Sequence, residues 1–130
     1  MPKKKELRLR WHEDVEDHNY PAAESYLSLI FTAKTAAALV AGLRAAPAAQ
    51  FMAKDIFRAS GLALAGISKS RLETDRRKIA AGKMLSPILL VRDEVNGKVI
   101  VADGYHRLCA VHSFDDEAWI PCKIIDRAGR

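Results

Sequence analysis

The chain has 130 residues, of which 49% are hydrophobic and 28% charged, the balance of one folded domain with a real core rather than of a disordered chain. Two cysteines, Cys109 and Cys122, are too few for a disulfide scaffold and lack the spacing of a CxxC redox pair or a metal knuckle. No run of 18 apolar residues offers a membrane span, and the lysine-rich start leads into no apolar stretch, which excludes a secretory signal and points to a reducing cytoplasm.

The formal charge is +5, with a pI near 9.4. The first ten residues carry a net +4 and the next ten a net −4, so residues 21–130 hold the whole excess. Within them, Lys69 to Lys83 places six basic residues against Glu73 and Asp75. Such a cluster either attracts phosphate, from a nucleotide or a nucleic acid, or is a solvated helix face. Composition alone leaves both open.

In chain order, residues 1–20 read as a charged lead-in with little core material. His12, Glu13, Asp14, Glu16, Asp17 and His18 are metal-ligand types, but no apolar frame surrounds them to fix a geometry, so no metal site is assigned. Pro21 suits a first helical turn, and Ala23, Tyr26, Leu27 and Ile30 follow an amphipathic helical spacing. Ala36, Leu39, Val40 and Leu43 repeat it, with Thr32 or Thr35 as the cap and Pro47 beyond the end. A short helix over Ala53–Ser60 is stopped by Gly61, where Lys54 and Arg58 share a face. Residues 21–68 are thus expected to be two or three packed helices and a loop through Gly66 and Ser68.

From residue 69 the pattern changes. A polar helix is predicted from about Ser70 to Ala81, closed by Gly82. Ile88-Leu-Leu-Val91 is a continuous apolar run, as in a strand covered on both faces. The Asn96-Gly97 pair turns the chain into a second, antiparallel strand, Val99–Val101. Gly104 breaks it, Tyr105–Ser113 suits a helix, Asp115-Asp-Glu117 is a turn, and Trp119–Ile125 is a last strand. Trp11 and Trp119 are expected as core anchors. The order of helices, then strand–strand–helix–strand, predicts an α+β fold with residues 69–126 as the chemically informative unit.

The chemistry concentrates at Asp103-Gly-Tyr-His-Arg107, where a buried strand ends at a glycine and a helix begins at once. Unpaired amides at a helix N-terminus carry partial positive charge and favour an anion. Gly104 lets the backbone approach it, Arg107 adds a guanidinium suited to phosphate, and His106 can donate to phosphate or move a proton near neutral pH. By spacing alone, a capped helix with exposed polar residues fits equally.

Gly104-Tyr-His-Arg-Leu-Cys-Ala110 resembles the Gly-x-His-Arg-x-x-Ala box of the ParB/sulfiredoxin superfamily. Lys78 to Val91, with its Gly82 and Pro87-Ile, is similar to the segment that precedes that box, and Ile120-Pro-Cys-Lys-Ile124 to the strand that follows it. The resemblance covers about residues 70–126; residues 21–68 look like the helical leader of small stand-alone bacterial ParB-like proteins. It implies a nucleotide site, ATP or CTP, with Asp103, Gly104, Tyr105, His106 and Arg107 around the phosphates. Beside it, the residues themselves offer Arg76, Arg77 and Lys78 as auxiliary charge, and the 115–117 turn as acids that could help hold Mg²⁺ carried with a triphosphate. Tyr105 stands where sulfiredoxins place their reactive cysteine, so that reductase chemistry is not expected, and Cys109 reads as a buried structural thiol. The sequence given has no helix-turn-helix reader after the box, which argues against partition-type DNA binding.

Three functions follow as expectations: a nucleotide-binding protein with NTP hydrolysis left open, a nuclease or nucleic-acid binder acting through segment 69–83, and a non-catalytic protein-interaction module. In the first two His106 and Arg107 are the candidate catalytic residues. An Arg107 turned away from the glycine turn, or held in an internal ion pair, would end the case for a nucleotide ligand built on that arginine and leave only the fold assignment.

Overall fold

The computed structural model describes residues 9–62 and 67–128. Nine elements follow one another: α1 (Asn19–Ile30), α2 (Ala33–Ala45), β1 (Ala49–Met52), α3 (Ala53–Ser60), α4 (Lys69–Ala80), β2 (Ile88–Asp93), β3 (Lys98–Asp103), α5 (Tyr105–Phe114) and β4 (Trp119–Asp126). The fold is α+β, with helices on a small mixed sheet of order β1-β4-β2-β3. Strand pairs β1/β4 and β2/β3 are antiparallel, and β2/β4 is parallel.

The helix limits follow from local chemistry. Thr32 caps α2 by accepting from the Thr35 amide, and Ser68 caps α4 by accepting from that of Arg71. Gly61 ends α3 in the left-handed region, and Lys83 N–H donates to Lys78 O across the turn at Gly82.

Strand alternation divides the core into two layers. Ile88, Leu90, Val99, Val101, Ile120 and Cys122 face α3, α4 and α5, where they meet Ile56, Phe57, Ile79 and Leu108. Leu89, Val91, Ile100, Ala102 and Ile125 face the other way, onto Leu27, Leu39, Val40 and Leu43 of α1 and α2. Ile88 to Val91 are at most 1% exposed, as a strand sandwiched between helical layers requires. A side chain at Gly42 would collide with that of Ile125, so α2 lies directly on β4.

Three expectations change. The described part of the lead-in is structural. Trp11 bridges Leu85 in parallel, His12 N–H donates to Leu85 O at 2.7 Å, Leu85 N–H to Arg10 O at 2.8 Å, and Glu16 N–H to Ser86 Oγ at 2.9 Å. Val15 and Tyr20 are buried under the sheet, and α1 starts at Asn19, ahead of Pro21. Residues 1–8, which carry most of the basic lead-in, and Gly66 of the predicted loop lie outside the described residues.

Secondly, the stretch read as helices contains strand β1, whose Ala49–Met52 pair with Cys122 to Trp119, so segments 21–68 and 69–126 build one sheet together. Thirdly, Trp119 is 55% exposed rather than anchored. It shares strand parity with Ile125 but sits at the end of β4 that α1 and α2 leave uncovered. Trp11, by contrast, packs against the α3–α5 layer. Among the described residues no helix is long and apolar enough to cross a membrane.

Candidate functional site

Strand β3 ends at Asp103, and Gly104, at φ 115°, turns the chain into α5. A side chain there would be strained, and its Cβ would lie 2.9 Å from Ile88 Cγ1 and 3.0 Å from Arg107 Nη2. The first helical bond of α5 runs from Leu108 N–H to Gly104 O at 2.8 Å. No side chain caps this end, and the His106 and Arg107 amides meet no protein acceptor among the described residues. Both residues line a cleft of about 730 Å³, together with residues of α4, Tyr26 of α1 and the segment that precedes α1.

The five residues predicted around a phosphate, Asp103 to Arg107, all line this cleft. Their side chains are arranged differently from the expectation. Arg107 is held in an internal ion pair: its Nη2 lies 3.2 Å from Asp103 Oδ2 and also donates to Pro87 O at 3.4 Å. Both partners are about one-fifth exposed, and Arg107 Nε is buried without an acceptor among the described residues. The guanidinium is thus committed to the protein, as a carboxylate four residues before it on the same turn dictates. This is the internal ion pair that ends the case for a nucleotide gripped by Arg107, and it removes Asp103 as an open ligand.

Tyr105 contributes backbone to the turn, but its ring packs on the core and edge-on to His106 at 5.3 Å. Burial and a hydrogen bond with Cys109 raise its phenol above the ordinary value of 10.0. Cys109 is fully buried, and burial raises its thiol, as expected of a structural cysteine. Burial, then the nearby Arg71 charge, lowers His106 below 6.5, with Asp75 opposing. A largely neutral imidazole at pH 7 accepts a proton more readily than it attracts an anion.

The auxiliary cluster splits. Arg76 points away from the cleft, donating to Ser113 Oγ at 2.6 Å and covering the Phe114 ring at 4.1 Å. Arg77 faces solvent and does not line the cleft. Lys78 does line it, joined by Lys83 and Arg71, two residues that the sequence reading did not name as site residues. Arg71, Asp75 and Lys78 stand at i, i+4, i+7 on α4, one helical face, which is the signal that finds them. Arg71 Nε is 3.1 Å from Asp75 Oδ2, whereas Lys78 and Lys83 have no acidic partner among the described residues.

The chelation expected at 115–117 does not assemble. Those acids follow the far end of α5, about 15 Å from its start by the rise of a ten-residue helix, and Glu117 pairs with Lys54 at 3.1 Å. Arg58 pairs with Asp55 along α3, and neither lines the cleft. Among the described residues no three His, Cys, Asp or Glu side chains are placed to hold a metal ion. Asp103 and Asp75 are occupied by arginines, so a Mg²⁺ ion would have to arrive on the ligand's own phosphates.

Comparison of the chain with protein-family models, curated proteins and solved structures gives no match. The likeness to the ParB/sulfiredoxin box therefore rests on the residues quoted above.

Proposed function

We propose that the cleft at the start of α5 binds the phosphates of a nucleotide and that the chain is a nucleotide-binding protein of ParB/sulfiredoxin type. One observation carries the reading. After a left-handed glycine, His106 and Arg107, whose amides meet no protein acceptor among the described residues, line a cleft together with Lys78 and Lys83, which have no acidic partner among the described residues. Amide donors at a helix N-terminus and cations free of internal pairing both favour a multiply charged anion. In this form of the reading Arg107 braces the turn through Asp103 and Pro87, and the lysines supply the charge that the resemblance assigned to the arginine.

The binding of a nucleic acid through segment 69–83 is less well supported. Arg71 is tied to Asp75 and Arg76 to Ser113 and Phe114 of α5, while Lys78 and Lys83 are exposed along the cleft, so the basic cluster is divided between ion pairing, packing and the cleft wall. His106 stands in the first turn of α5 beside the proposed phosphate position, and any NTP hydrolysis would run through it.

A thermal-shift screen of ATP and CTP, with and without Mg²⁺, tests the reading, because a ligand that binds only the folded chain raises its melting temperature by mass action. The native protein should be stabilised. A double Lys78→Ala, Lys83→Ala variant should melt at the native temperature without ligand and lose most of the ligand's effect. No shift with any nucleotide, or an equal shift in the variant, would remove the proposal.

A further inference from the structure

Seven large apolar side chains are exposed among the described residues, and three of them, Tyr26, Leu62 and Met84, line the same cleft as Lys78, Lys83 and the first turn of α5. Tyr26 is 44% exposed and Met84 39%. Neither position is demanded by packing. On α1 the residues buried against the sheet are Tyr20, Ala23 and Leu27, and Tyr26 lies one step round the helix from that stripe. Leaving a phenol ring and a thioether in water beside a charged wall costs free energy that a ligand's planar group would recover.

Resting on the phosphate reading above, the geometry points to a ligand that is a phosphate ester of a planar heteroaromatic ring, with Tyr26 of α1 stacking on the ring and Met84 closing against it. The two halves of the cleft then take the two halves of one molecule. Phosphate lies at the α5 turn, where Gly104 permits close approach, and the ring lies toward α1. Inorganic polyphosphate and simple sugar phosphates would fill only the first half. A base inside a duplex would be excluded, because its faces are already stacked. Tyr26 comes from the helical leader, so this segment has a recognition role as well as a packing one.

Titration calorimetry on the full chain with two charge-matched pairs tests this: ATP against tripolyphosphate, and flavin mononucleotide against ribose 5-phosphate. The ring-bearing member of each pair should bind the native protein about tenfold more tightly or better, the size expected for one base on one aromatic side chain. Tyr26→Ala should erase that advantage while leaving tripolyphosphate affinity unchanged, and Tyr26→Phe should keep it. Met84→Ala gives the second reading should the alanine at 26 disturb α1, with a smaller loss confined again to the ring-bearing ligands. Equal affinities within each pair, or a Tyr26→Ala loss shared by tripolyphosphate, would overturn the stacking role and leave the phosphate site standing. Binding of neither ATP nor tripolyphosphate would overturn both.

Discussion

Asp103 and Arg107 face each other across one turn of α5, with Oδ2 3.2 Å from Nη2, and this pair decides how the glycine turn can be used. It fixes the strand end to the helix start and holds the guanidinium beside Pro87. It also places a negative charge at the edge of a cleft proposed for an anion. Neutralising Asp103 should therefore have opposite effects on stability and on binding.

Asp103→Asn keeps the shape of the side chain and deletes its charge. The expected outcome is a stability loss of about 1 kcal/mol, the scale of a partly exposed ion pair, together with tighter tripolyphosphate binding by the native-like fraction. Arg107→Ala should cost more stability, because Asp103 is left without its partner, and should weaken binding less than the Lys78→Ala, Lys83→Ala pair does. Urea unfolding and calorimetry measured on the same samples check both orders.

Gly104→Ala is expected to destabilise the fold by about 1–3 kcal/mol, the cost of holding a non-glycine residue at φ 115° with its Cβ against Ile88. The same change should abolish tripolyphosphate binding even where most of the chain remains folded, because the amide turn itself must shift. The urea midpoint gives the first quantity and a titration well below the melting temperature gives the second.

His106 gives the site a pH dependence. Its folded pKa lies below 6.5, so in the free protein the imidazole gains its proton only as pH falls through that lowered value. A bound anion favours the protonated form, and by linkage affinity should rise as pH is lowered from about 7.5 toward the free-protein pKa. His106→Ala should flatten the profile down to the ligand's own titration, which both proteins share. Stability runs the other way. The unfolded chain takes up the proton at higher pH than the folded one, so the His106 contribution is intact above 6.5 and is lost as pH falls through the folded value.

Acid sensitivity has a second, structural source at the β2–β3 turn. Hydrogen bonds from the Asn96 side chain, and then from its backbone, hold the nearly buried Asp93 carboxyl below its ordinary 3.8, with Arg127 nearby at 3.4 Å. A depressed carboxylate stabilises the fold above the unfolded pKa and ceases to do so as pH falls through the folded value. Asp93→Ala should thus be less stable than the native chain at pH 7 in urea melts, and the gap should narrow at about pH 3.

The parts of the fold that were legible in the sequence are those set by neighbours in the chain. The Ile88–Val91 run, the Asn96-Gly97 turn, the Thr32 cap and the breaks at Gly61, Gly82 and Gly104 each declare themselves within a few residues. Strand β1 does not, because Ala49-Gln-Phe-Met52 has no alternation of its own and becomes a strand only by pairing with β4, some 70 residues later. The same distance hid the order of residues 10–16, whose amides and carbonyls pair with Leu85 and Ser86. At the site, backbone position was readable and side-chain commitment was not. The Asp103–Arg107 pair is visible as an i, i+4 spacing once the helix start is known, but the competition between that carboxylate and a ligand depends on burial, which periodicity does not report.

The central claim is that the His106 and Arg107 amides, together with Lys78 and Lys83, receive a phosphate group. Titration of tripolyphosphate into ¹⁵N-labelled protein, followed by amide chemical shifts, tests it most directly. The largest saturable changes should fall at residues 104–108 and at Lys78 and Lys83, with α2 and the exposed end of β4 unmoved. Shifts scattered over the outward basic residues without saturation, or changes centred away from residue 104, would contradict it.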